Sequence, residues 1–533
     1  EALASLNEFS LRGLRTLVCA SRRVPAHEYS VWKAEWDAAG RALEGRAALV
    51  AAAAAKLEQG LCFIGVTAVE DRLQDKVPET IAALRGEAGL RVWVLTGDKV
   101  ETAVEIAKSV RLFDSGMTLH RILGLSSSKA AAESLRVATE AQAASKLPCG
   151  MVLDGQTVHH ILESEIARRA LYELGIASQA CVCCRLSPAQ KKELVELVRL
   201  HDQSIVTLAI GDGANDVPMI QGAHIGIGIR GKEGMGAVQA SDVAISQFCF
   251  LRNLLFCHGR RSYHHVALFL CYYLYKNVAL AWGDIVHAHD IRFQGDIAYP
   301  EWLSTSFNAL FTSWPVVVVL AFDRDLPDEK AVEQPRLYRF GPERRGFNWR
   351  IFASWMALAA LHGCIAWVGP VYLQLGAFRT SRDERLNRER DFWIASTTAF
   401  TVVIEIVTLK LALVASWPIS KRGTAALLVA AVVYLLVLFL LGPIGLQDEL
   451  MPDVPKLIFT RPGPLVCLLL LPVLALLPDV ATLLYRRHAM KSGSSPVSTP
   501  SSTPTEGSTD STRNSSTTGH TEDEDAACLQ HQS

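Results

Sequence analysis

Short apolar runs alternate with amphipathic stretches over roughly the first 260 residues. The runs are rich in β-branched residues, and each ends close to a Gly or an Asp, as a buried strand does before a loop. They cover residues 92–95, 151–153, 205–210 and 224–229. The stretches between them have a helical pattern and include 77–84, 102–110 and 188–200. This alternation predicts an α/β domain, with a parallel sheet and helices on its faces.

The pattern changes near residue 264, where the first of six long apolar segments begins. Each segment is close to the ~20 residues that cross the hydrocarbon core of a bilayer. They cover residues 265–287, 303–322, 351–373, 392–415, 424–442 and 464–484. The sequence therefore predicts an all-α bundle of six transmembrane helices, with both flanks on the same side of the membrane.

Basic residues indicate which side that is. Lys and Arg concentrate in cytosolic segments next to membrane spans. In this chain they lie beside the expected inner ends of the spans, at Arg252, Arg260, Arg261, Arg336, Arg339, Arg344, Arg345, Arg350, Lys421, Arg422, Arg486 and Arg487. The loop 378–391 departs from the trend, since it holds five arginines on the outer side, mixed with four acids. We expect the α/β domain and the C-terminal tail to be cytosolic.

Composition agrees with a membrane-bound chain. Of the 533 residues, 50% are hydrophobic, and the mean hydropathy is +0.20. The net charge of -1 gives no drive toward nucleic acid, so we expect no nucleic-acid partner. The cluster Cys181, Cys183 and Cys184 is interpreted as a buried strand end rather than a zinc site. Residues 488–533 are Ser/Thr-rich, which predicts a disordered tail.

Two short strings are candidates for phosphate binding. The string 94–99 runs from a strand end into a helix that starts near Glu101, so Thr96 and the backbone around Gly97 are placed to face a phosphate. The same string also suits an ordinary turn. In the string 185–191, Pro188 fits the first turn of a helix, which places Lys191 where a cation can neutralise phosphoryl oxygens. The alternative is an ordinary surface lysine.

A third string carries a candidate magnesium site. Residues 210–216 read Ile-Gly-Asp-Gly-Ala-Asn-Asp and follow an apolar strand. Asp212, Asn215 and Asp216 offer hard oxygen ligands, and Mg²⁺ typically takes one or two carboxylates together with substrate phosphate. The alternative is an Asx-rich turn. All three strings follow strands at their C-terminal ends, where an open α/β sheet binds its ligand, so the set predicts phosphoryl transfer. The sequence contains no Asp-Lys-Thr-Gly string that would supply a nucleophile.

Polar residues within the predicted spans are candidates for a transport path. Lys276 lies near the middle of the first span beside Asn277, where a lysine needs a partner or water. Asn308, early in the second span, is a weaker candidate that could bond a neighbouring helix. In the fourth span, Lys410 is expected to extend to the cytosolic interface, whereas Glu405 is harder to explain.

These strings together resemble the type-IV P-type ATPases, the phospholipid flippases. The resemblance extends over 13–17, 67–81, 93–98, 184–191, 210–220, the string 275–277 and the stretch 307–315. It implies a haloacid-dehalogenase-like phosphorylation domain followed by the membrane bundle. It implies the domain bounds 1–69 for the end of a nucleotide-binding domain, 70–263 for the phosphorylation domain, 264–486 for the six spans and 487–533 for the tail.

The resemblance also implies roles for individual residues. Thr96, Gly97 and Asp98 would form the catalytic and nucleotide-binding loop, with Lys191 neutralising the phosphoryl group. Mg²⁺ would bind at Asp212 and Asp216. ATP would be contacted by the residues Arg15, Arg185, Asn215 and Asp216 in addition to that loop and lysine. Lys276, Asn277 and Asn308 would line the path of the lipid head group.

The implied activity is ATP-driven movement of phospholipid from the outer to the cytosolic leaflet. The family's phosphorylated aspartate, actuator domain and first four spans have no counterpart in this sequence, so we expect a C-terminal fragment that is inactive in isolation. We also expect a small accessory subunit with two spans, and a location in the plasma membrane or in Golgi and endosomal membranes. The alternatives are an ion-pumping P-type ATPase and a non-catalytic fragment; a free-standing phosphatase would not need six spans.

Overall fold

The computed structural model describes residues 8–9, 14–42, 44–69, 73–145, 147–231, 234–377, 386–416, 420–441 and 453–491. Residues 1–475 form one unit and residues 476–533 form a second. The described part of the second unit, 476–491, is the end of the last helix. The predicted disordered tail falls almost entirely outside the described residues.

An antiparallel strand pair opens the described chain. Strands β1 (Arg15–Ser21) and β2 (Cys62–Val69) pair from Arg15 opposite Val69 to Ser21 opposite Cys62. Two helices, α1 (Ala26–Arg41) and α2 (Arg46–Leu57), lie between the strands in sequence. The Trp32 indole N–H on α1 donates to the carbonyl of Ala53 on α2 at 2.8 Å, which ties the two helices together.

Seven parallel strands then form two sheets. The four-stranded sheet has the order β3-β6-β5-β4, and the three-stranded sheet has the order β7-β8-β9. Their bounds are β3 Val92–Leu95, β4 Thr118–Ile122, β5 Cys149–Asp154, β6 Ala180–Cys184, β7 Leu208–Gly211, β8 Ile225–Ile229 and β9 Val243–Ile245. All three cysteines of β6 are fully buried, which confirms their interpretation as part of a buried strand.

Helices connect these strands as the alternating pattern predicts. They are α3 Val77–Ala82, α4 Val100–Ser109, α5 Ser128–Ser145, α6 Gly155–Leu162, α7 Glu165–Ala177, α8 Pro188–His201, α9 Val217–Gly222 and α10 Gly236–Gln239. Leucines and alanines of α5, α7 and α8 pack on one face of the four-stranded sheet, while α4 packs on the other. Because both faces are covered, the strands are apolar throughout rather than alternating.

The predicted single sheet is divided between β3 and β7. Each of these strands pairs on one side only within the described residues. Val92 of β3 nevertheless shares a hydrophobic cluster with Leu208 and Ile210 of β7 and with Phe256. The two sheets therefore belong to one domain, with β3 and β7 as edge strands that contribute to a common core.

Among the described residues, the membrane half contains six helices that are long and apolar enough to cross a bilayer, as predicted. These spans are Phe248–Asp290, Glu301–Phe322, Trp349–Leu373, Arg390–Val414, Lys421–Leu440 and Pro462–Tyr485. The α-helical elements within and between them are α11 Arg260–Asp290, α12 Glu301–Ser306, α13 Ser313–Phe322, α14 Asp328–Glu333, α15 Trp349–Ala377, α16 Leu386–Val414, α17 Lys421–Leu441, α18 Val454–Thr460 and α19 Pro462–Lys491.

The first span begins inside the α/β domain. Its helix is continuous over Phe248–Asp290, whereas the apolar pattern predicts only 265–287. Leu251 and Phe256, near its start, are buried in the cluster that contains Ile227 of β8. One helix therefore connects the core of the α/β domain to the membrane bundle.

The segment between the second and third spans is bound to this helix and to the α/β domain. Arg260 makes two hydrogen bonds of 2.8 Å to the carboxylate of Asp325. Arg339 donates to the carbonyl oxygens of Glu87 at 2.9 Å and Gly86 at 3.2 Å, at the end of the helical segment that continues α3. The residues 323–340 thus contact both halves of the unit.

Candidate active site

The loops that follow β3 and β6 are joined by backbone hydrogen bonds. The N–H of Thr96 donates to the carbonyl of Cys183 at 2.9 Å, and the N–H of Leu186 donates to the carbonyl of Thr96 at 3.0 Å. The N–H of Arg185 donates to the carbonyl of Asp98 at 3.1 Å. Two of the strings predicted to bind phosphate therefore lie side by side at the same sheet edge.

The side chains of the Thr-Gly-Asp turn are fixed by each other. The Thr96 hydroxyl donates to a carboxylate oxygen of Asp98 at 2.9 Å and accepts from the Asp98 N–H at 3.1 Å. Gly97 between them is exposed, and helix α4 begins at Val100. The turn therefore presents a hydroxyl, an exposed backbone and a helix N-terminus in one place, a combination that suits an anion.

Lys191 lies on the first turn of α8, as predicted. Ser187 caps this helix through a capping box with Gln190, and Pro188 is its first residue. The Lys191 ammonium donates to a carboxylate oxygen of Asp216 at 2.8 Å, and the two side chains are only 11% and 16% exposed. This contact connects the loop after β6 with the loop after β7, so the lysine is not a free surface group.

The third predicted string forms the loop after β7. Asp216 ends a single 3₁₀ turn, Ala214–Asp216, which also holds Asn215. A Cβ atom on Gly211 would lie 2.4 Å from the Cβ of Asp216, so only glycine allows this carboxylate to pack across the strand end. The Asp212 side chain is exposed beside Gly231.

The donor set of this loop fits a magnesium ion. Asp212, Asp216 and Asn215 supply oxygen ligands at the end of one strand, and Mg²⁺ usually completes its shell with water and substrate phosphate. No group of three or more His, Cys, Asp or Glu side chains lies close enough to hold a metal by itself in the part of the chain that the structure describes. The side chains of the loop would hold the ion together with a phosphate as a further ligand.

Two other predicted residues are placed differently. Arg185 is exposed and has a left-handed backbone, with φ at 52°. Its carbonyl approaches Gly155 so closely that a Cβ there would lie at 2.2 Å. Arg15 is the first residue of β1, and its side chain lies outside the described part of the structure. The nucleotide-binding roles of both arginines stay predictions.

Asp154 is a further contributor to this edge of the sheet, and it was not predicted from the sequence. Asp154 ends β5, and its carboxylate accepts from the N–H groups of Thr157 and Gly124, both at 3.0 Å. The next residue, Gly155, accepts from the side chain of Gln190 at 2.8 Å, which fixes the first turn of α8. In the sequence, the pair Asp154-Gly155 at the end of an apolar strand is the pattern that could have predicted this contribution.

In the membrane bundle, the predicted polar residues form one hydrogen-bonded chain. Lys276 is fully buried, and its ammonium donates to the side-chain oxygens of Asn308 and Thr312, both at 2.8 Å, and of Ser313 at 3.1 Å. The Asn308 amide donates in turn to the side chain of Asn277 at 3.0 Å. We call these five residues the polar strip. Asn308 is exposed, so the strip leads from a buried charge to the surface of the bundle.

A π-helical turn shapes the polar strip. The second span changes from α12 to a π-helix over Phe307–Thr312 and then to α13. The wider turn adds a residue to the face toward Lys276, and the Thr312 hydroxyl donates to the carbonyl of Phe307 at 2.7 Å. π-Helical turns of this kind are frequent at functional sites. The spacing of apolar residues does not distinguish a π-helical turn from an α-helix. For this reason Thr312 and Ser313 were not predicted as part of the transport path.

Two predictions for the fourth span have different outcomes. Lys410 was expected to extend to the interface, and this is wrong: its side chain is 3% exposed, and its ammonium lies 4.8 Å from the ring of Trp355 and 5.5 Å from that of Tyr275. Aromatic faces attract a cation and make burial less costly. Glu405 is partly buried, and one carboxylate oxygen has no hydrogen-bond partner among the described residues.

A parallel α/β domain with these predicted phosphate-binding loops, joined by a continuous helix to six candidate spans among the described residues, is the architecture expected of a P-type ATPase. Residues 238–492 match the family described as "Phospholipid-translocating P-type ATPase C-terminal". The chain belongs to the type-IV P-type ATPases, the family of phospholipid-transporting ATPases.

Three relatives illustrate the match. Phospholipid-transporting ATPase C887.12 of Schizosaccharomyces pombe is 35% identical over 483 residues, which is 89% of this chain and 38% of the relative. Phospholipid-transporting ATPase DRS2 of Saccharomyces cerevisiae is 36% identical over 77% of this chain and 30% of its own length. Human phospholipid-transporting ATPase ID is 35% identical over 76% of this chain and 35% of its own length. The chain thus spans 30–38% of the length of these three relatives.

Proposed function

We propose that the protein moves phospholipid from the outer to the cytosolic leaflet of a membrane, driven by ATP hydrolysis through an aspartyl phosphate. One observation carries this proposal. A single helix, Phe248–Asp290, contains residues buried in the core of the phosphoryl-transfer domain and, further along, Lys276 of the polar strip. A change of packing at the catalytic end can therefore move the polar strip directly.

The phosphoryl-transfer residues act mainly by position and charge, which is what this reaction requires. The Thr96 hydroxyl and the backbone of Gly97 hold the phosphoryl oxygens. Lys191, now bonded to Asp216 at 2.8 Å, neutralises the charge of the phosphoryl group in transfer. Asp212 and Asp216 would hold a Mg²⁺ ion, which would supply positive charge to stabilise the phosphoryl group in transfer.

The edge strands β3 and β7 suit the position of the phosphorylated aspartate. Both have an edge that no described strand pairs with, and both contribute to one hydrophobic cluster. A further parallel strand between them would end beside Thr96 on one side and Asp212 on the other. An aspartate that follows such a strand would face the lysine and the magnesium ligands together.

The polar strip favours lipid over an ion as the transported substrate. A cation site in the membrane calls for several carboxylates and carbonyls. Here the buried charge is the ammonium of Lys276, bonded to amide and hydroxyl oxygens. A positive centre with neutral polar neighbours suits the phosphate of a lipid head group and repels cations.

The remaining expectations for the whole protein follow from this activity. We propose that it works with a small accessory subunit that has two spans. We place the phosphoryl-transfer domain and the tail in the cytosol, and the protein in the plasma membrane or in Golgi and endosomal membranes. The arginines at the inner ends of the spans support this orientation.

The proposal is tested on the full-length protein with a panel of fluorescent phospholipids that differ in head group. We expect ATP-dependent uptake of at least one lipid into the cytosolic leaflet, and loss of that uptake in the variant Asp212→Asn. ATP hydrolysis that is stimulated by a cation and by no lipid would support an ion pump instead. The absence of both activities would support a non-catalytic protein.

A further inference from the structure

A row of polar side chains lies between the fourth and fifth spans, apart from the polar strip. Thr397, Thr401 and Glu405 of α16 are spaced four residues apart, so they follow one side of the helix over about 12 Å. The hydroxyl of Tyr434 on α17 lies 2.6 Å from that of Thr401, at the middle of this side. We call Thr397, Thr401 and Tyr434 the hydroxyl row, and Glu405 lies at its inner end.

The hydrogen bonds of the row are incomplete at both ends. Thr401 donates its single hydroxyl hydrogen to the carbonyl of Thr397 at 2.7 Å, so the Tyr434 hydroxyl donates to Thr401. The Thr397 hydroxyl and one carboxylate oxygen of Glu405 are buried and have no hydrogen-bond partner among the described residues. Buried polar atoms without a protein partner usually bind water. Water at these two positions would complete a hydrogen-bonded path along the row.

The outer end of the row lies beside a cavity. Ser396, next to Thr397, donates to the carbonyl of Ala298 at 2.5 Å. Ala298 lines a cavity of about 310 Å³ where the first span ends, on the side away from the α/β domain. A volume of this size holds several water molecules, since each occupies about 30 Å³ in the liquid. Water from the outer side can therefore approach the Thr397 end of the row.

Glu405 is separated from other charges. Helix α16 packs against α11, α15, α17, α18 and the π-helical turn of the second span. Among the described residues of these elements, Tyr434 is the titratable group close enough to interact with the charge of Glu405. Lys456 of α18 is exposed. The other charged or titratable side chains in the middle of these helices and of α16 itself have contacts of their own; they are Tyr272, Tyr273, Tyr275, Lys276, His362 and Lys410.

The fifth span links the hydroxyl row to the polar strip. The ring of Tyr434 lies 5.1 Å from that of Phe311, which belongs to the π-helical turn. The same turn supplies Asn308 and Thr312 to the polar strip. A shift of this turn when phospholipid binds would therefore move Tyr434 relative to Thr401. This contact gives lipid transport a way to control the path along the row.

The chemistry of the row selects a proton as its ligand. A cation such as Ca²⁺ takes about six to eight oxygen ligands, whereas one carboxylate and three hydroxyls are available here. A proton needs a single acceptor. A carboxylate without a counter-charge inside a membrane is costly, and its protonation removes that cost. Hydroxyl groups and water both accept and donate hydrogen bonds, so they can carry a proton to Glu405.

We propose that Glu405 takes up one proton from the outer side of the membrane through the hydroxyl row in each transport cycle and releases it to the cytosolic side. The proposal rests on the proposed function and adds a second transported species to it. A hydronium ion in the cavity gives up a proton, each hydroxyl accepts one proton and passes its own on, and the carboxylate becomes a carboxylic acid. On release, the O–H bond of that acid breaks and the proton returns to water. Nothing is oxidised or reduced.

The test uses the full-length protein in sealed vesicles with its phosphoryl-transfer domain outward, so that added ATP reaches only this orientation. Trapped pyranine reports the pH of the lumen, and valinomycin with K⁺ removes any electrical potential. During ATP-driven phospholipid transport, the lumen should lose about one proton per ATP hydrolysed, because one carboxylate binds one proton. A protonophore should abolish the resulting rise in luminal pH.

Variants of the row separate its parts. Glu405→Gln should abolish the rise in luminal pH, whereas Glu405→Asp, which keeps a carboxyl group, should retain part of it. Thr401→Val and Tyr434→Phe remove hydroxyls of the row and should lower the number of protons moved per ATP at least about twofold. Thr398→Val is the matched control, since the Thr398 hydroxyl lies on the same helix but donates to the carbonyl of Ile394 at 2.6 Å. Phosphoenzyme formation from ATP shows that each variant is folded.

The outcomes distinguish this proposal from the proposed function. If the wild-type protein transports phospholipid while the luminal pH stays constant, the proton proposal is overturned and the proposed function stands. An unchanged number of protons per ATP in the Glu405→Gln variant would also overturn it, as would an equal fall in the Thr398→Val and Thr401→Val variants. If the wild-type protein transports no lipid, the proposed function itself fails.

Discussion

The hydrogen bond between Lys191 and Asp216 holds a charged pair at the meeting point of two loops. Because both side chains are largely buried, removing one leaves the other partly desolvated and without its partner. The pair therefore contributes to the shape of the site as well as to its charge. In the phosphorylated protein the same ammonium would divide its interactions between Asp216 and the phosphoryl group.

The first prediction concerns this lysine. Lys191→Ala in the full-length protein should lower the rate of phosphoenzyme formation at least about 100-fold, since a positioned charge at a phosphoryl group typically contributes that much. Acid-quench assays with radiolabelled ATP measure this rate. Lys192→Ala is the control, because Lys192 is adjacent, half exposed and paired with Glu196 on the same helix. A Lys191→Ala rate within threefold of wild type would exclude Lys191 from phosphoryl transfer.

Single residues were predictable where the chemistry is local. Thr96, Lys191 and Asp212 each follow a strand or begin a helix, so the sequence alone places them at one sheet edge. Their hydrogen-bond partners were not predictable, because the pairing of Lys191 with Asp216 depends on how α8 packs against the loop after β7. For the same reason, Lys410 was wrongly expected at the interface, although rings from two other spans enclose it.

At the scale of elements, the segment between the second and third spans binds the helix that links the two halves. Arg260 is 7% exposed, and its partner Asp325 is 19% exposed. Burial raises the pKa of Asp325, but the hydrogen bonds and the charge of Arg260 outweigh this effect, so the pKa lies below its ordinary value of 3.8. The pair therefore stabilises the folded protein above that pH, and the stabilisation is lost as the pH falls through the lowered pKa.

The second prediction tests this ion pair. Asp325→Asn should destabilise the protein at neutral pH by about 2–4 kcal/mol, because Arg260 would remain buried without a counter-charge. Thermal unfolding of the purified protein, followed between pH 3 and pH 7, measures the effect. The difference in stability between wild type and variant should become smaller as the pH falls toward 3. Asp328→Asn is the control, since this acid pairs with Arg261 but is 48% exposed and should cost less than about 1 kcal/mol.

The third prediction concerns Arg339, which joins the same segment to the α/β domain. Gly89 has φ at 72° and lies so close that a Cβ atom there would be 3.2 Å from the Arg339 guanidinium. Arg339→Ala removes both hydrogen bonds to the carbonyls of Gly86 and Glu87. We expect the number of lipid molecules moved per ATP hydrolysed to fall by about half or more. The rate of phosphoenzyme formation should stay within twofold of wild type.

Parallel measurements of lipid uptake and phosphate release give that ratio. Arg336→Ala is the matched control, because Arg336 is exposed on the same 3₁₀ helix, Pro335–Phe340, and has no hydrogen bond or ion pair with a described residue. A normal ratio in the Arg339 variant would show that this contact is structural only.

At the scale of the whole molecule, the order of elements was predictable and their junctions were not. Alternating apolar runs and six long segments define the α/β domain and the bundle, because both patterns follow from burial in a core or in lipid. The start of the first span at Phe248, well before its apolar stretch, was missed, since those residues are buried in a protein core instead. The division of the sheet between β3 and β7 depends on pairing partners far apart in sequence.

The helix Phe248–Asp290 matters most for the proposed function, because it connects the core of the α/β domain to the polar strip in the membrane. A protein built this way should release its phosphate only when the membrane half holds its substrate. The two sites should therefore be coupled reciprocally, as any two ligand sites on one pair of conformations are.

The most direct test is the decay of the radiolabelled phosphoenzyme in the full-length protein. We predict that the transported phospholipid accelerates dephosphorylation at least about tenfold, that Na⁺, K⁺ and Ca²⁺ do not, and that Lys276→Met abolishes the acceleration while leaving phosphoenzyme formation intact. Two results would contradict a link between the phosphoryl site and the polar strip. One is a rate of phosphoenzyme decay that phospholipid does not change, and the other is an equal acceleration by phospholipid in the Lys276→Met variant.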